Sequence, residues 1–249
     1  MANSYVVTGQ GRLWIAPRTS AGITGAFTEV GDTDNFALNI AQTFTDVFES
    51  QTGARTNVVH AVTQTDASVT LDILNMSKEN LAKAFYGSTA AVAGATVTDE
   101  AQVAYTGGTN WIVPGSTAVS LKKAPSTALV LNTDYTYDAT NGRITFLTGS
   151  SIITGSSAHN ILITYTHTGA TGKTEAITGG LAEYALVFEQ INYDGTVSRY
   201  TLHRVALDMA KTFNMIMTGV NKLTVTGKLL QAQEITTAGL SKYFTVLQK

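Results

Sequence analysis

The chain has 249 residues, a net charge of −2 and no cysteine, which excludes disulfide frameworks, thiolate metal sites and cysteine nucleophiles. The near-neutral balance also excludes the broad basic face that ordinary nucleic-acid binding needs to release phosphate counterions. Charged residues make up 14% of the chain, below the roughly 25% of an ordinary soluble domain, so its surface reads either as destined for protein contact or as that of a Thr/Ser-solvated monomer.

The N-terminal residues, from Met1 to Val7, lack a basic region followed by an apolar one, and no apolar run reaches the about 20 residues of a membrane helix. Cytoplasmic synthesis, a soluble product and no membrane segment are expected. Tyr5 to Ala16 alternates loosely and reads as an edge strand or arm, and Pro17 to Phe27 reads as a Gly/Ser/Thr loop. Thr28 to Gln42 alternates again, with Phe36, Leu38 and Ile40 on one face. Asp46 to Val59 is polar and reads as a long loop. His60 to Leu74 is the clearest strand. Ala67, Val69, Leu71 and Ile73 fall on its dry face, and Gln64, Asp66, Ser68, Thr70 and Asp72 on its wet face.

A short helix is predicted from Ser77 to Tyr86. Ser77 suits the N-cap, Met76 and Leu81 have the spacing of a hydrophobic staple, and Leu81, Ala84 and Phe85 form the apolar stripe. Gly87 suits the left-handed position after the helix. A helix this short requires a packing partner.

The composition changes at Ser88. To about Gly180 the chain is rich in Ala, Thr, Gly and Ser. Short strands are predicted at Ala118 to Lys122, Ala128 to Leu131, Asp134 to Tyr137, Arg143 to Phe146 and Asn160 to His167, with a hairpin at Asn141-Gly142. This segment reads as a small β-sandwich inserted into another domain, because the longer strands typical of residues 1–87 return after it. From Leu181 these are Glu183 to Asn192 and Thr196 to His203, which flank a hairpin at Asp194-Gly195. Arg204 to Met217 reads as helix or loop, Lys222 to Gln231 as a strand. Thr236 to Lys249 reads as an arm anchored by Tyr243, Phe244, Val246 and Leu247. The domains are therefore 1–87 with 181–249, and 88–180.

Motifs for chemistry fail on inspection. Gly172-Lys173-Thr174 has the ending of a phosphate loop, but His167 stands where the first glycine is needed and no helix follows, so a Gly-rich turn closing the insert is expected. His60, His159, His167 and His203 are scattered and read as satisfied or solvated, not as metal ligands. Asp66 and Asp72 share a strand face and read as solvated rather than as an acid–base pair. No nucleophile elbow is present. No enzyme activity, cofactor or metal is expected.

Taken in order, the strand from Phe36, the polar loop Asp46 to Val59, the strand His60 to Leu74, the helix after Asn75-Met76-Ser77 and the hairpin at Asp194-Gly195 resemble a bacteriophage major tail tube protein. That family belongs with the inner tubes of contractile systems. The resemblance implies a mainly β fold of two orthogonally packed antiparallel sheets with a short flanking helix, plus an inserted Ig-like β-sandwich. It implies hexameric rings stacked into a hollow tube that holds a tape-measure protein and conducts DNA to the host. Tail terminator and baseplate or tip proteins would meet the tube's ends, and a sheath protein its outside if the tail is contractile. The expected location is the virion tail, assembled in the host bacterial cytoplasm. The loop from Asp46 to Val59 would join successive rings, with Phe48, Glu49 and Arg55 in contact. Gln64, Asp66, Ser68, Thr70 and Asp72 would face the lumen and repel phosphate, and Ser77, Leu81 and Phe85 would cap and pack the helix. The alternatives are the inner tube of a bacterial contractile injection or secretion system, and a monomeric β-rich adhesin, which calls for a secretion signal and exposed aromatics.

Overall fold

The structure, a computed structural model, describes residues 9–51, 53, 55–192 and 195–248. Residues 5–8 of the first predicted strand, Thr52 and Ala54 of the predicted loop, and Tyr193 and Asp194 of the second hairpin lie outside the described residues. The fold is mainly β. The chain first forms β1 (Gln10–Thr19), β2 (Gly22–Ile23), β3 (Thr28–Glu29), β4 (Thr33–Phe48), β5 (Asn57–Ile73) and the helix α1 (Lys78–Ala84). Next come β6 (Ser88–Ala104), β7 (Thr109–Trp111), β8 (Thr117–Lys123), β9 (Thr127–Ala128), β10 (Tyr135–Asp138), β11 (Arg143–Phe146) and β12 (His159–Glu175). The last four strands are β13 (Ala182–Ile191), β14 (Val197–Leu207), β15 (Leu223–Leu229) and β16 (Phe244–Gln248). Two units pack separately: Met1–Ser88 with Thr174–Lys249, and Thr89–Lys173. The second boundary thus falls before Gly180. The reason is local: Ile177 N–H donates to Phe85 O and Gly179 N–H to Tyr86 O, which tie this segment to the end of the helix.

The first unit holds one nine-stranded sheet in the order β2-β1-β13-β14-β15-β5-β4, with β16 added on β14 and β3 on β1. This corrects the expectation of two separate sheets. The strand β14 is shared: its start, Ser198–Leu202, pairs with β16, and its end, Val205–Leu207, pairs with β15. Both halves of the sheet therefore hang from one strand. The sheet bends far enough for its own faces to meet, since the Phe36 ring of β4 lies 5.5 Å from Phe188 of β13, which is not its ladder neighbour. Alternation supplies the core: Leu13 and Ile15, Val69, Leu71 and Ile73, Leu202 and Val205, and Leu223 and Val225 are all buried. Arg18 is buried as well. It pairs with Glu234 at 2.7 Å and donates to the backbone oxygen of His203. Tyr243 and Phe244 pack on this core, whereas Val246 and Leu247 are exposed on the outlying strand β16, so only half of the predicted C-terminal anchors act as anchors. Of the stretch from Arg204 to Met217, open between helix and loop in the sequence, Arg204 to Leu207 is the end of β14 and residues 208–217 form no helix.

Helix α1 begins where Ser77 Oγ accepts from Asn80 N–H at 3.2 Å. Leu81 and Phe85 lie half-buried against the core, beside Met76. Asn80 does more than its sequence position implies: its buried amide donates to Val30 O and to Asn75 O, docking the helix. The helix ends on Tyr86, not Gly87, in the left-handed conformation at φ 49°. Gly87 N–H then reaches back to Ala82 O. Glycine is needed at 87 for a different reason: a Cβ there would sit 2.4 Å from the backbone oxygen of Glu175.

The second unit is a small sandwich of two sheets, β10-β11-β7 and β6-β12-β8-β9. Ile144 and Phe146 of β11 and Tyr135 of β10 share a core with Leu121 of β8 and Ile161, Ile163 and Tyr165 of β12. Two predictions change here. The stretch Ala128 to Leu131 is a strand only at its start, because Asp134 Oδ2 accepts from Val130 N–H and turns the chain. The glycine-rich segment through Lys173 is not a turn but the continuation of β12, where Gly169, at φ 96°, brings its backbone against Val92 O of β6. Burial and the Glu100 carboxylate that accepts its hydroxyl push the Tyr165 pKa up to about 12.

Removing the helix cap tests how far α1 supports the first unit. Ser77→Ala is expected to lower stability by about 1 kcal/mol, read as a fall in urea midpoint at constant slope; an unchanged midpoint would show that the cap contributes nothing.

Candidate assembly interface

A long ladder joins β4 to β5, from Thr33↔Ile73 to Phe48↔Asn57, with register shifts at Thr33/Asn35, Thr43/Phe44 and Val47/Phe48. The predicted polar loop from Asp46 to Val59 is therefore strand at both ends: Asp46 pairs with His60 and Val47 with Val59, and β4 stops at Phe48 and β5 starts at Asn57. At the base of the hairpin β5 lies between β4 and β15, which pairs with Ser68 through Ile73. Towards the tip β15 stops, and residues 40–48 and 57–67 form a two-stranded ribbon, an arrangement only marginally stable on its own.

That ribbon is apolar on both faces. Phe44 pairs with Val62 on one face and Val47 with Val59 on the other, and all four are exposed. The Phe44 ring stacks on His60 with centroids 4.5 Å apart. His60 Nδ1 meets Asp46 Oδ1, which also accepts from Asn57, and the bonds from His60 and Asn57 hold the Asp46 carboxyl below its usual range. At the tip Phe48 is 52% exposed. Glu49 N–H donates to Thr56 O, and the Thr56 hydroxyl donates to Glu49 Oε2. Arg55 is exposed at φ 47°. Phe48, Glu49 and Arg55 thus sit together at the end of the ribbon.

β4 is also the last strand of the sheet, so its outer backbone edge has no ladder partner among the described residues. Its only charges are Asp34 and Asp46, and it contains neither lysine nor proline. Edges of monomeric proteins are normally shortened, charged or covered; this one is long and exposes Ile40, Phe44, Val47 and Phe48.

The other face of β5 carries Gln64, Asp66, Ser68, Thr70 and Asp72, opposite buried Ala67, Val69, Leu71 and Ile73. Both acids are ion-paired, and Asp72 is buried, which corrects its reading as solvated; the Asp66 side chain is nearly half exposed. Lys228 pairs with Asp66, and Lys222 pairs with Asp72 at 3.0 Å and with Asp34 at 3.1 Å. Burial raises the Asp72 carboxyl, but the Thr224 hydroxyl and the Lys222 ammonium outweigh it and hold the group below its ordinary value. Sequence reading missed Lys222 and Lys228 because β15 meets β5 across 150 or more residues.

The histidines form no common site. His159 Nε2 lies 2.8 Å from Thr154 O. His167 Nδ1 and His203 Nε2 are buried without a partner among the described residues, so neither ring is fully satisfied or solvated, and burial lowers the pKa of His203. No group of three or more metal-ligating side chains occurs among the described residues, nor any helix long and apolar enough to cross a membrane.

A family model described as Protein of unknown function UCP028589 matches residues 6–247. The chain belongs to that family. The match runs through both packing units. No curated protein matches the chain.

The buried Asp72 sets an acid limit on the first unit. Its folded pKa is depressed, so its contribution is present above the ordinary value of 3.8 and is lost as pH falls through the folded value. Urea midpoints should fall between about pH 5 and pH 2 in the wild type, and fall less in Asp72→Asn. An equal fall in both would remove Asp72 from the account.

Proposed function

We propose that this chain is the structural subunit of a tube, the major tail tube protein of a bacteriophage, in which hexameric rings stack around a channel. The observation that carries the reading is the β4–β5 ribbon: an apolar two-stranded ribbon ending in a long, almost uncharged edge, which a lone copy leaves uncovered. A ring closed by copies of one chain covers such an edge without creating another. The two halves of the bent sheet correspond to the packed sheets of a tail tube fold, and the second unit corresponds to an Ig-like decoration. The ribbon tip, with Phe48, Glu49 and Arg55, meets the next ring.

The wet face of β5 lines the channel in this proposal. With Asp66 and Asp72 each facing a lysine, DNA passes a hydroxyl-rich wall of nearly balanced charge rather than an acidic one. Such a wall offers phosphate few cations to hold it. A tape-measure protein would fill the channel before ejection, and terminator and baseplate or tip proteins would cap the tube. The inner tube of a bacterial contractile injection or secretion system shares this subunit geometry; a sheath protein bound to the outside would mark a contractile machine.

Negative-stain images of the concentrated full chain should show hollow rings or tubes. Phe44→Asp and Phe48→Asp should leave the protein folded, because both side chains are exposed, and should abolish the rings. A small monodisperse particle for the wild type at every concentration would sink the proposal.

A further inference from the structure

Between β14 and β15 the chain forms a loop that turns its apolar side chains outward. Met215, Ile216 and Val220 are 83%, 96% and 73% exposed. The loop is nevertheless held at its base. Asn221 donates to Asn214 O, the Phe213 ring meets Phe85 at 5.8 Å, and Ala210 N–H donates to Ala84 O. A fixed base presenting methionines and an isoleucine is the form of an adaptable contact element.

The same unit contains a cavity of about 510 Å³ between β4 and the faces of β13 and β14, lined by Phe36, Leu38, Phe188, Tyr200, Leu202 and Phe244. Gln190 also lines it, and its buried Oε1 finds no donor among the described residues. Loop and cavity differ in their unpaired charges. From Met209 to Gln233 the chain carries Lys211, Lys222 and Lys228 and no acid; Lys222 pairs with Asp34 and Asp72 and Lys228 with Asp66 within the same copy, which leaves Lys211. At the cavity, Asp34 is thus already paired, whereas Asp32 lies next to the lining residue Thr33. Neither Lys211 nor Asp32 has an ion-pair partner among the described residues.

We infer that the loop at residues 214–220 seats in the cavity of a neighbouring copy of this chain. The inference rests on the proposed self-assembly and names one of its contacts. The loop does not fill its own cavity, since Ile216 stands almost wholly in solvent. A second copy supplies one loop for each cavity, brings Lys211 towards Asp32, and offers Gln190 Oε1 a loop backbone N–H or the Thr218 hydroxyl. Unlike pairing along β4, this contact uses side chains rather than a backbone edge.

The chain has no native cysteine, so Ile216→Cys carries a single benzophenone. Light and isotopically heavy copies are mixed, concentrated and irradiated. Cross-links should join a light to a heavy copy and land on peptides containing Phe36, Leu38, Phe188 or Tyr200. Ile216→Asp should raise the concentration needed for assembly by about tenfold or more, with Tm unchanged because the side chain is exposed. Cross-links within one copy or onto another surface, or assembly of Ile216→Asp at the wild-type concentration, would overturn the inference while leaving the tube subunit standing. A wild type that never assembles would overturn both.

Discussion

The backbone ladder between β4 and β5 is the constraint on which the rest of the molecule depends. Its base is fixed twice. β15 pairs with β5 on the far side, and Val69, Leu71 and Ile73 drive one face into the core. A period of two cannot change face without an inserted residue. The apolar phase set at the base therefore continues through Ile40 to Phe44 after the core has ended. The register shift at Thr43/Phe44 inserts one residue into β5 and brings Val62 opposite Phe44. The exposed stripe and the buried core are thus two ends of one pattern, and only the base has its cover within the chain.

The polar side of the same strand is organised by β15. Asp66 and Asp72 meet Lys228 and Lys222, and Thr224 adds a hydroxyl to Asp72. A lysine on β15 and one just before it answer two acids on β5, the cross-strand pairing that sets one register against its neighbours. The buried pair at Asp72 costs desolvation, which its hydrogen bonds offset. Its clearest consequence is in alignment: β15, which closes the sheet onto β5, is held in place from both faces.

What could be read from the sequence was whatever depends on near neighbours. The parity of Ala67 through Ile73, the cap at Ser77 and the turn at Asn141-Gly142 are local patterns with a local cause. The ribbon was hidden because both of its faces are wet in a single copy. Asp46, Glu49 and Asn57 break the apolar signal, and a strand without a dry face looks like a loop. β6 was hidden for a related reason: alanine, threonine and glycine carry little hydrophobic contrast. The lysine partners of the acids, the burial of Arg18 against Glu234 and the docking role of Asn80 all depend on pairings far apart in the chain. No periodicity reports such pairings. The single bent sheet was missed because nothing local announces that one strand, β14, will divide its edge between two partners.

Gly87 and Glu175 touch, and between them runs the whole of the second unit. For the first unit that long excursion is a loop, and closing a loop costs entropy that grows with the logarithm of its length. The cost changes if the excursion folds first. β6 and β12 are ladder neighbours, so a folded sandwich delivers its two ends one strand-spacing apart. The sandwich then acts on its host as a short turn would, and the order of events matters. An early-folding second unit preassembles the junction at which α1 and the segment before β13 meet. A late one leaves the first unit to find that junction by search.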